Sequence, residues 1–433
     1  MGKLFIDEKG PQENFRISSP FNMEEKLAYG TDIMPGYVAN AWYIGDKLDQ
    51  FTEEFVELEK SYLKTLQNSN IELKGSIILK KRFKNGVTSL RSKDVEFYTE
   101  LFKLLIKYKS MNLLFSVNKM SVIFDSRLLE WIYILEEKRM IKNAYLTKYT
   151  LTKYLDKEAS EEVIKSILDL NTNSKEILNE IQKDMQKIVD SNKNNKRMEV
   201  QIENYKQIIA IIRKCKHFIV DTPEKITFDW NKVTYAIDLW LEENKIRGTI
   251  DPQSTDLYLD NGIKKTHFEK FEFKSISENV DSKNSAGIRV TDFLVAIAGN
   301  YIKSLYQGSR YDRNEPEKIK RLSEDFFNLT KEQFNLLKLM NHFFFASGQY
   351  SIVTDTFFDY EVIFEAFLNY FDTFDTFEKY KSIRNKTHVE DQYKLTAYYF
   401  YNKWHDSLGN DVLVKEMYSS TRNAVGLGML RPL

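Results

Sequence analysis

Lys3-Leu4-Phe5-Ile6-Asp7 is an apolar run that ends on an acid, and Glu8-Lys9 lead from it into Gly10-Pro11. It reads as a short strand entering a turn. Side chains alternate across a strand, so Phe5 and Asp7 share one face and Glu8 takes the other. A single acid at a strand end is ordinarily a turn residue or a helix cap. Its meaning depends on what the rest of the chain brings to that face.

Outward from this strand, Tyr37 to Gly45 is rich in aromatic and β-branched residues and predicts a second strand. Residues 46–68 predict a helix, because Leu48, Phe51, Phe55, Leu58, Tyr62 and Leu66 recur at three- and four-residue steps. Glu72-Leu73-Lys74-Gly75 follows, then a helix around 92–108 and an apolar, strand-like segment from Asn112 to Phe124. From Leu128 to Ile219 the pattern is helical. Within it, 171–200 is polar and lacks Pro and Gly, which suggests a solvated helical hairpin, or an arm that grips a partner, with its tip at Ser191–Asn195. Strand signals return at Ile246–Ile250 and Phe268–Ile276, around a turn at Asp260-Asn261-Gly262. Residues 286–306 form an apolar helix, and the chain beyond 311 is helical and aromatic; the stripe Phe364, Phe367, Phe371, Phe374 reads as core. The expected architecture is an α/β core in two sequence halves, 1–125 and 225–310. A helical insertion, 126–224, separates them, and a helical C-terminal domain, 311–433, follows.

Composition bounds the function. The 63 basic and 63 acidic side chains cancel, so net charge gives no support for nucleic-acid binding, although a local basic channel is compatible with it. Cys215 is the sole cysteine, which excludes an intrachain disulfide and argues against a cysteine-based zinc site. The five histidines are scattered without paired metal-ligand spacing. No phosphate loop or Gly-x-Ser-x-Gly elbow is present, and Gly426-Leu427-Gly428 is not followed by a helix. No signal peptide or transmembrane run is read, so a cytoplasmic location and no membrane partner are expected.

The acids stand out against this background. Asp292 lies in the apolar run Ile288-Arg289-Val290-Thr291-Asp292-Phe293-Leu294, where an ionised carboxylate needs a partner. Arg289, one turn earlier, is placed to be that partner. Glu72 precedes a basic stretch with Lys74, Lys80, Lys81, Arg82 and Lys84, and Asp281 begins Asp-Ser-Lys after the strand at 268–276. Each alone reads as a surface, turn or cap residue.

Taken in order, these segments resemble the bacterial proteins grouped as domain of unknown function 3800, which are placed with the ribonuclease H-like folds. The resemblance rests on Asp7-Glu8-Lys9-Gly10, on Glu72-Leu73-Lys74-Gly75, and on Asp281-Ser282-Lys283 followed by Gly287-Ile288-Arg289-Val290-Thr291-Asp292-Phe293-Leu294. It covers residues 1–125 and about 225–305. Lys9, Arg289 and Thr291 depart from the family pattern, which has Ser, Gln and Ala there; no carboxylate is lost.

The resemblance implies a ribonuclease H-like mixed sheet flanked by helices. It also implies a nuclease in which Asp7, Glu72, Asp292 and Asp281 hold Mg²⁺ or Mn²⁺, with a role in anti-phage defence. Asp251, after Gly248-Thr249-Ile250, is the positional candidate for a further acid, and Lys74, Lys283 and Arg289 for contacts to the nucleic acid. The alternative expectation is a non-catalytic ribonuclease H-like binding or assembly protein. Its homo-oligomer or partner contacts would run through the helical insertion or the C-terminal region.

Overall fold

The structure is a computed structural model that describes residues 2–9, 15–23, 26–28, 36–66, 72–79, 83–311, 319–345, 350–352, 357 and 359–427. The Gly10-Pro11 turn, Lys80, Lys81, Arg82 and Gly428 lie outside the described residues.

The first part of the chain forms β1 (Gly2–Lys9), a small ribbon of β2 (Arg16–Ile17) and β3 (Leu27–Ala28), β4 (Gly36–Ile44), α1 (Leu48–Thr65), α2 (Gly75–Leu79), α3 (Ser92–Lys107) and β5 (Met111–Asn118). A helical block follows: α4 (Lys119–Glu137), α5 (Ala144–Lys157), α6 (Glu161–Leu168), α7 (Ser174–Ser191) and α8 (Glu199–Cys215). Then come α9 (Asn231–Ile246), β6 (Thr255–Leu259), β7 (Ser275–Ser277) and α10 (Ala286–Gly308). The last part holds a ribbon of β8 (Arg310–Tyr311) and β9 (Lys320–Arg321), α11 (Lys331–Phe345), β10 (Tyr350–Ile352), α12 (Asp359–Asp372), α13 (Phe377–Lys381), α14 (Asn385–Tyr418) and α15 (Thr421–Gly426).

Six strands form one mixed sheet in the order β10-β5-β4-β1-β6-β7. β1 pairs antiparallel with β4, which pairs antiparallel with β5; β6 runs parallel to β1, and β7 parallel to β6. Strand alternation divides the sheet cleanly. Phe5, Val38, Trp42, Ile44 and Leu114 face a core shared with α1, α3, α10, α11 and α12. Leu4, Ile6, Tyr37, Ala39, Ala41, Leu113, Phe115 and Val117 face a second core closed by α9. Both faces are covered, as a sheet with parallel strands requires.

α10 crosses β1 and β4 on the first face. Ser285 caps it, accepting the Ile288 N–H at 3.3 Å. Val290, Phe293, Leu294, Ile297 and Tyr301 are buried along it. At roughly 1.5–3 kcal/mol for each large apolar side chain, this burial outweighs the cost of holding Asp292 among them. The close approach requires Gly287, where a Cβ would stand 2.3 Å from the Phe5 ring.

The helical block builds its own core, with Leu128, Trp131, Leu151, Ile177, Ile181, Ile209 and the buried thiol of Cys215. The polar hairpin expected at 171–200 is α7 and α8, turning at 192–195. It is not a solvated arm: Ile177, Leu178, Ile181, Met185 and Val189 bury one face of α7. Three further expectations shift. The segment 112–124 is strand only to Asn118, whose side chain accepts the Met120 N–H at 2.6 Å and starts α4. Ile246–Ile250 is not a strand but the end of α9, closed by Gly248 at φ +68°. Within 268–276 only Ser275 and Ile276 belong to a strand, the remainder being short 3₁₀ turns and coil. The region after 311 is not only helical: β10 pairs parallel with β5, and α11 packs on α3.

Replacing Gly287 by Ala is expected to cost about 1–3 kcal/mol of stability, because the Phe5 ring is wedged between Trp42 and Tyr258 and cannot move aside. A lowered urea midpoint with an unchanged slope would register it. An unchanged midpoint would show that α10 does not depend on this close approach.

Candidate carboxylate site

β1 and β6 are adjacent and parallel, so their carboxyl ends lie side by side. Ile6 is registered with Leu259, and the Asp260 N–H donates to the Ile6 carbonyl at 3.0 Å. Asp7 and Asp260 therefore follow matched positions on neighbouring strands. β1 is also where the strand order reverses, the position at which open α/β sheets bind ligands beyond their carboxyl strand ends. Asp292, on the helix crossing this face, completes the group.

Electrostatics ties the three together. Asp7 is only 6% exposed. Burial, then the charges of Asp260 and Asp292, push its carboxyl well above the ordinary carboxylate range. Burial also raises Asp292, opposed by the Gly75 N–H and by the positive charges of Lys9 and Lys74. Asp292 Oδ2 accepts that N–H at 2.7 Å, which anchors α2 to α10. Glu8, on the opposite face as alternation requires, accepts the Tyr37 hydroxyl at 2.8 Å. Burial lifts Glu8 to about 7.

Two buried polar atoms beside these acids have no hydrogen-bond partner among the described residues. One is Oδ1 of Asn40, the cross-strand neighbour of Asp7. The other is the hydroxyl of Tyr98, which burial, then the charge of Asp292, holds well above its ordinary pKa. The donors around Asp7 are thus oxygens, the chemistry that Mg²⁺ and Mn²⁺ select. The spacing is not yet that of a metal site: among the described residues, no three His, Cys, Asp or Glu side chains are grouped so as to hold an ion.

The remaining candidates make other contacts. Glu72 Oε1 accepts the Ser282 hydroxyl at 2.5 Å and stands 3.9 Å from Lys74 Nζ. Asp281 is exposed and caps a 3₁₀ turn through the Lys283 N–H at 3.0 Å. Asp251 is exposed and caps another through the Gln253 N–H, and it sits before β6, away from that strand's carboxyl end. The acid from this strand whose charge acts on Asp7 is Asp260, which its Asp-Asn-Gly context predicts to be a turn residue. Arg289 does not pair with Asp292. Its Nε and Nη2 bind Glu59 at 2.9 and 3.0 Å, and Nη1 donates to the Ser282 carbonyl at 2.7 Å, so its donors are spent on the fold. Lys74 and Lys283 remain exposed near the site's outer edge.

No protein-family model, curated protein or solved structure matches the chain. No described helix is long and apolar enough to cross a membrane.

The Asp7 shift carries a sign. A carboxyl raised in the folded state destabilises the fold where it is ionised, so stability is lost as pH rises through the folded pKa. In EDTA, Asp7→Asn is expected to raise the melting temperature at pH 8, with the gain fading as pH falls toward the ordinary value of 3.8. Glu8→Gln should remove a further loss that develops as pH rises from 4.5 to about 7. A melting temperature for Asp7→Asn equal to wild type at pH 8 would contradict the mutual repulsion described above.

Proposed function

We propose that the protein is a divalent-metal-dependent nuclease with a ribonuclease H-like core, acting on DNA or RNA and serving in anti-phage defence. The observation that carries this reading is the buried Asp7 near the carboxyl end of the central strand, on which the charges of Asp260 and Asp292 both act. The sheet supports it: it is mixed and flanked by helices, as the family resemblance implies, with an antiparallel meander, β1-β4-β5, extended on the β1 side by two parallel strands. Asp7, Asp260 and Asp292 would hold Mg²⁺ or Mn²⁺, and the bound cation would supply a Lewis acid and an activated water for phosphodiester hydrolysis.

The chain's own groups do the rest. Burial keeps bulk water from screening the acids. The Gly75 N–H fixes Asp292, and the Glu59–Arg289 pair holds the Ser282–Lys283 turn against α1. Lys74 and Lys283 offer exposed cations to a phosphate chain, while Arg289 positions rather than binds.

A second reading, a non-catalytic binding or assembly scaffold, is favoured by Lys9 and Lys74, whose charges already offset Asp292. One assay separates the two. With Mn²⁺ on single- and double-stranded DNA and RNA, Asp7→Asn, Asp260→Asn and Asp292→Asn should each lower cleavage by at least about a hundredfold. Asp251→Asn and Asp281→Asn should stay within a few-fold of wild type. Cleavage surviving all three inner substitutions would end the nuclease proposal, and calorimetry without Mn²⁺ binding at millimolar concentration would favour the scaffold.

A further inference from the structure

α12 and α14 pack along one seam, and its polar part is short of positive charge. Val362 meets Tyr399, Phe400 and Trp404 across it. Glu361 and Glu365 stand one turn apart on α12, so both carboxyls lie on one side of the helix. Glu361 keeps only 2% of its surface, and neither of its oxygens has a hydrogen-bond partner among the described residues. Lys403 of α14 faces it, with Nζ 3.5 Å from Oε2.

The second carboxyl is half-buried. Burial, then the charge of Glu361, push Glu365 up to about 7, against the pull of Lys403. Tyr399 of α14 also faces it; burial, then the charge of Glu365, holds that hydroxyl above its ordinary value. α10 and α11 pack on α12 as well, and no described charge on either acts on Glu365. Two carboxyls thus face one ammonium in a place where like charges do not ionise together without cost.

The two ends of α14 are held by other means. At its start His388 is fully buried, with Nδ1 2.7 Å from the Tyr370 hydroxyl and Nε2 3.1 Å from the Tyr380 carbonyl. Beyond its end, the Thr421 hydroxyl donates to Glu136 and Arg422 to Glu130, both at 2.6 Å, which ties α15 to α4. Between these anchors the Trp404 ring meets that of Tyr149, on α5, edge to face at 4.5 Å. α14 is a strap from the C-terminal helices to the helical block, and the glutamate pair sits under its middle.

We infer that α14 is a pH-responsive strap, closed on α12 while the Glu361–Glu365 pair carries one negative charge, and loosened over residues 399–404 when both carboxyls are ionised. Opening the seam admits water to both carboxyls and returns Glu365 toward its ordinary value of 4.5. A carboxyl raised in the closed form favours closure at low pH, and that preference is lost as pH rises from 4.5 to about 7. His388 has the opposite sign. Burial holds it below 6.5, so the start of α14 gains hold over the same rise. The inference rests on this seam alone and is independent of the nuclease reading.

Backbone hydrogen exchange of the full chain at pH 5 and pH 8, corrected for the intrinsic rate, tests it. In wild type, protection over residues 395–405 should fall by at least about tenfold between the two, while residues 385–392 lose none. Glu365→Gln should abolish the fall and melt no lower than wild type at pH 8. Glu361→Gln, which removes the like charge, should reduce it. Unchanged protection over 395–405 in wild type, or an equal fall in Glu365→Gln, would overturn the inference. So would an equal fall over 385–392, which would report loosening of the whole helix rather than of this seam.

Discussion

The contact of the Phe5 ring with Gly287 is the constraint from which the carboxylate site follows. It sets α10 directly on β1, and α10 carries Asp292 to the face on which Asp7 sits. Phe5 and Asp7 are two residues apart on β1, and Gly287 and Asp292 are five apart on α10. Gly75 adds a second close approach: a Cβ there would stand 2.3 Å from the Ala296 side chain. Only with the bare backbone this near can its N–H reach Asp292. Small residues thus bring backbone to carboxylate in a part of the molecule otherwise filled by aromatic rings.

The energetic balance explains how such a group of acids persists. Each unit of pKa shift corresponds to about 1.4 kcal/mol, and Asp7 and Asp292 are both raised. The surrounding rings of Phe5, Trp42, Phe51, Phe55, Phe97 and Phe293 supply the compensating burial. Arg289 could have relieved the strain by turning toward Asp292. It is instead held by Glu59 and by the carbonyls of Ser282 and Lys283. The fold keeps its strongest cation on the outer edge, and the repulsion among the inner acids remains for a protonation or a bound cation to settle.

Much of the scaffold was legible in the chain because it depends on local pattern. The three-and-four spacing from Leu48 to Leu66 predicts α1, and the apolar run at 286–306 predicts α10, within a few residues. Alternation alone puts Phe5 with Asp7 and sends Glu8 away, and Phe364, Phe367 and Phe371 of α12 lie in the core as their spacing implies, while Phe374 sits beyond the helix end and is half-buried. What was not legible depends on pairing between distant segments. The short strand Thr255–Leu259 hides between a helix end and a run of 3₁₀ turns, and nothing local says that it runs parallel to β1. Without that register, Asp260 is one more Asp-Asn-Gly turn residue, and Asp251 is the positional candidate. Likewise Arg289 is four positions short of Phe293 and three short of Asp292; sequence spacing offers Asp292 as its partner, and only tertiary packing brings Glu59.

The same helix that carries Asp292 ends beside α12, where the Tyr306 ring meets that of Tyr360 edge to face at 4.8 Å. Asp292 and Tyr306 are 14 residues apart, about 21 Å along a helix. A shared helix does not itself make the two places communicate. Coupling needs a second arrangement of α10 for which a ligand has a different affinity. α10 is held at one end by Phe5 against Gly287 and at the other by Phe326, 2.6 Å from where a Cβ of Gly308 would lie. Tyr301 fixes its middle by accepting the Val87 N–H at 2.9 Å. A helix clasped at both ends and the centre behaves as a rigid strut. An event at the far end of α10 then reaches the carboxylates only if it loosens one of these three clasps.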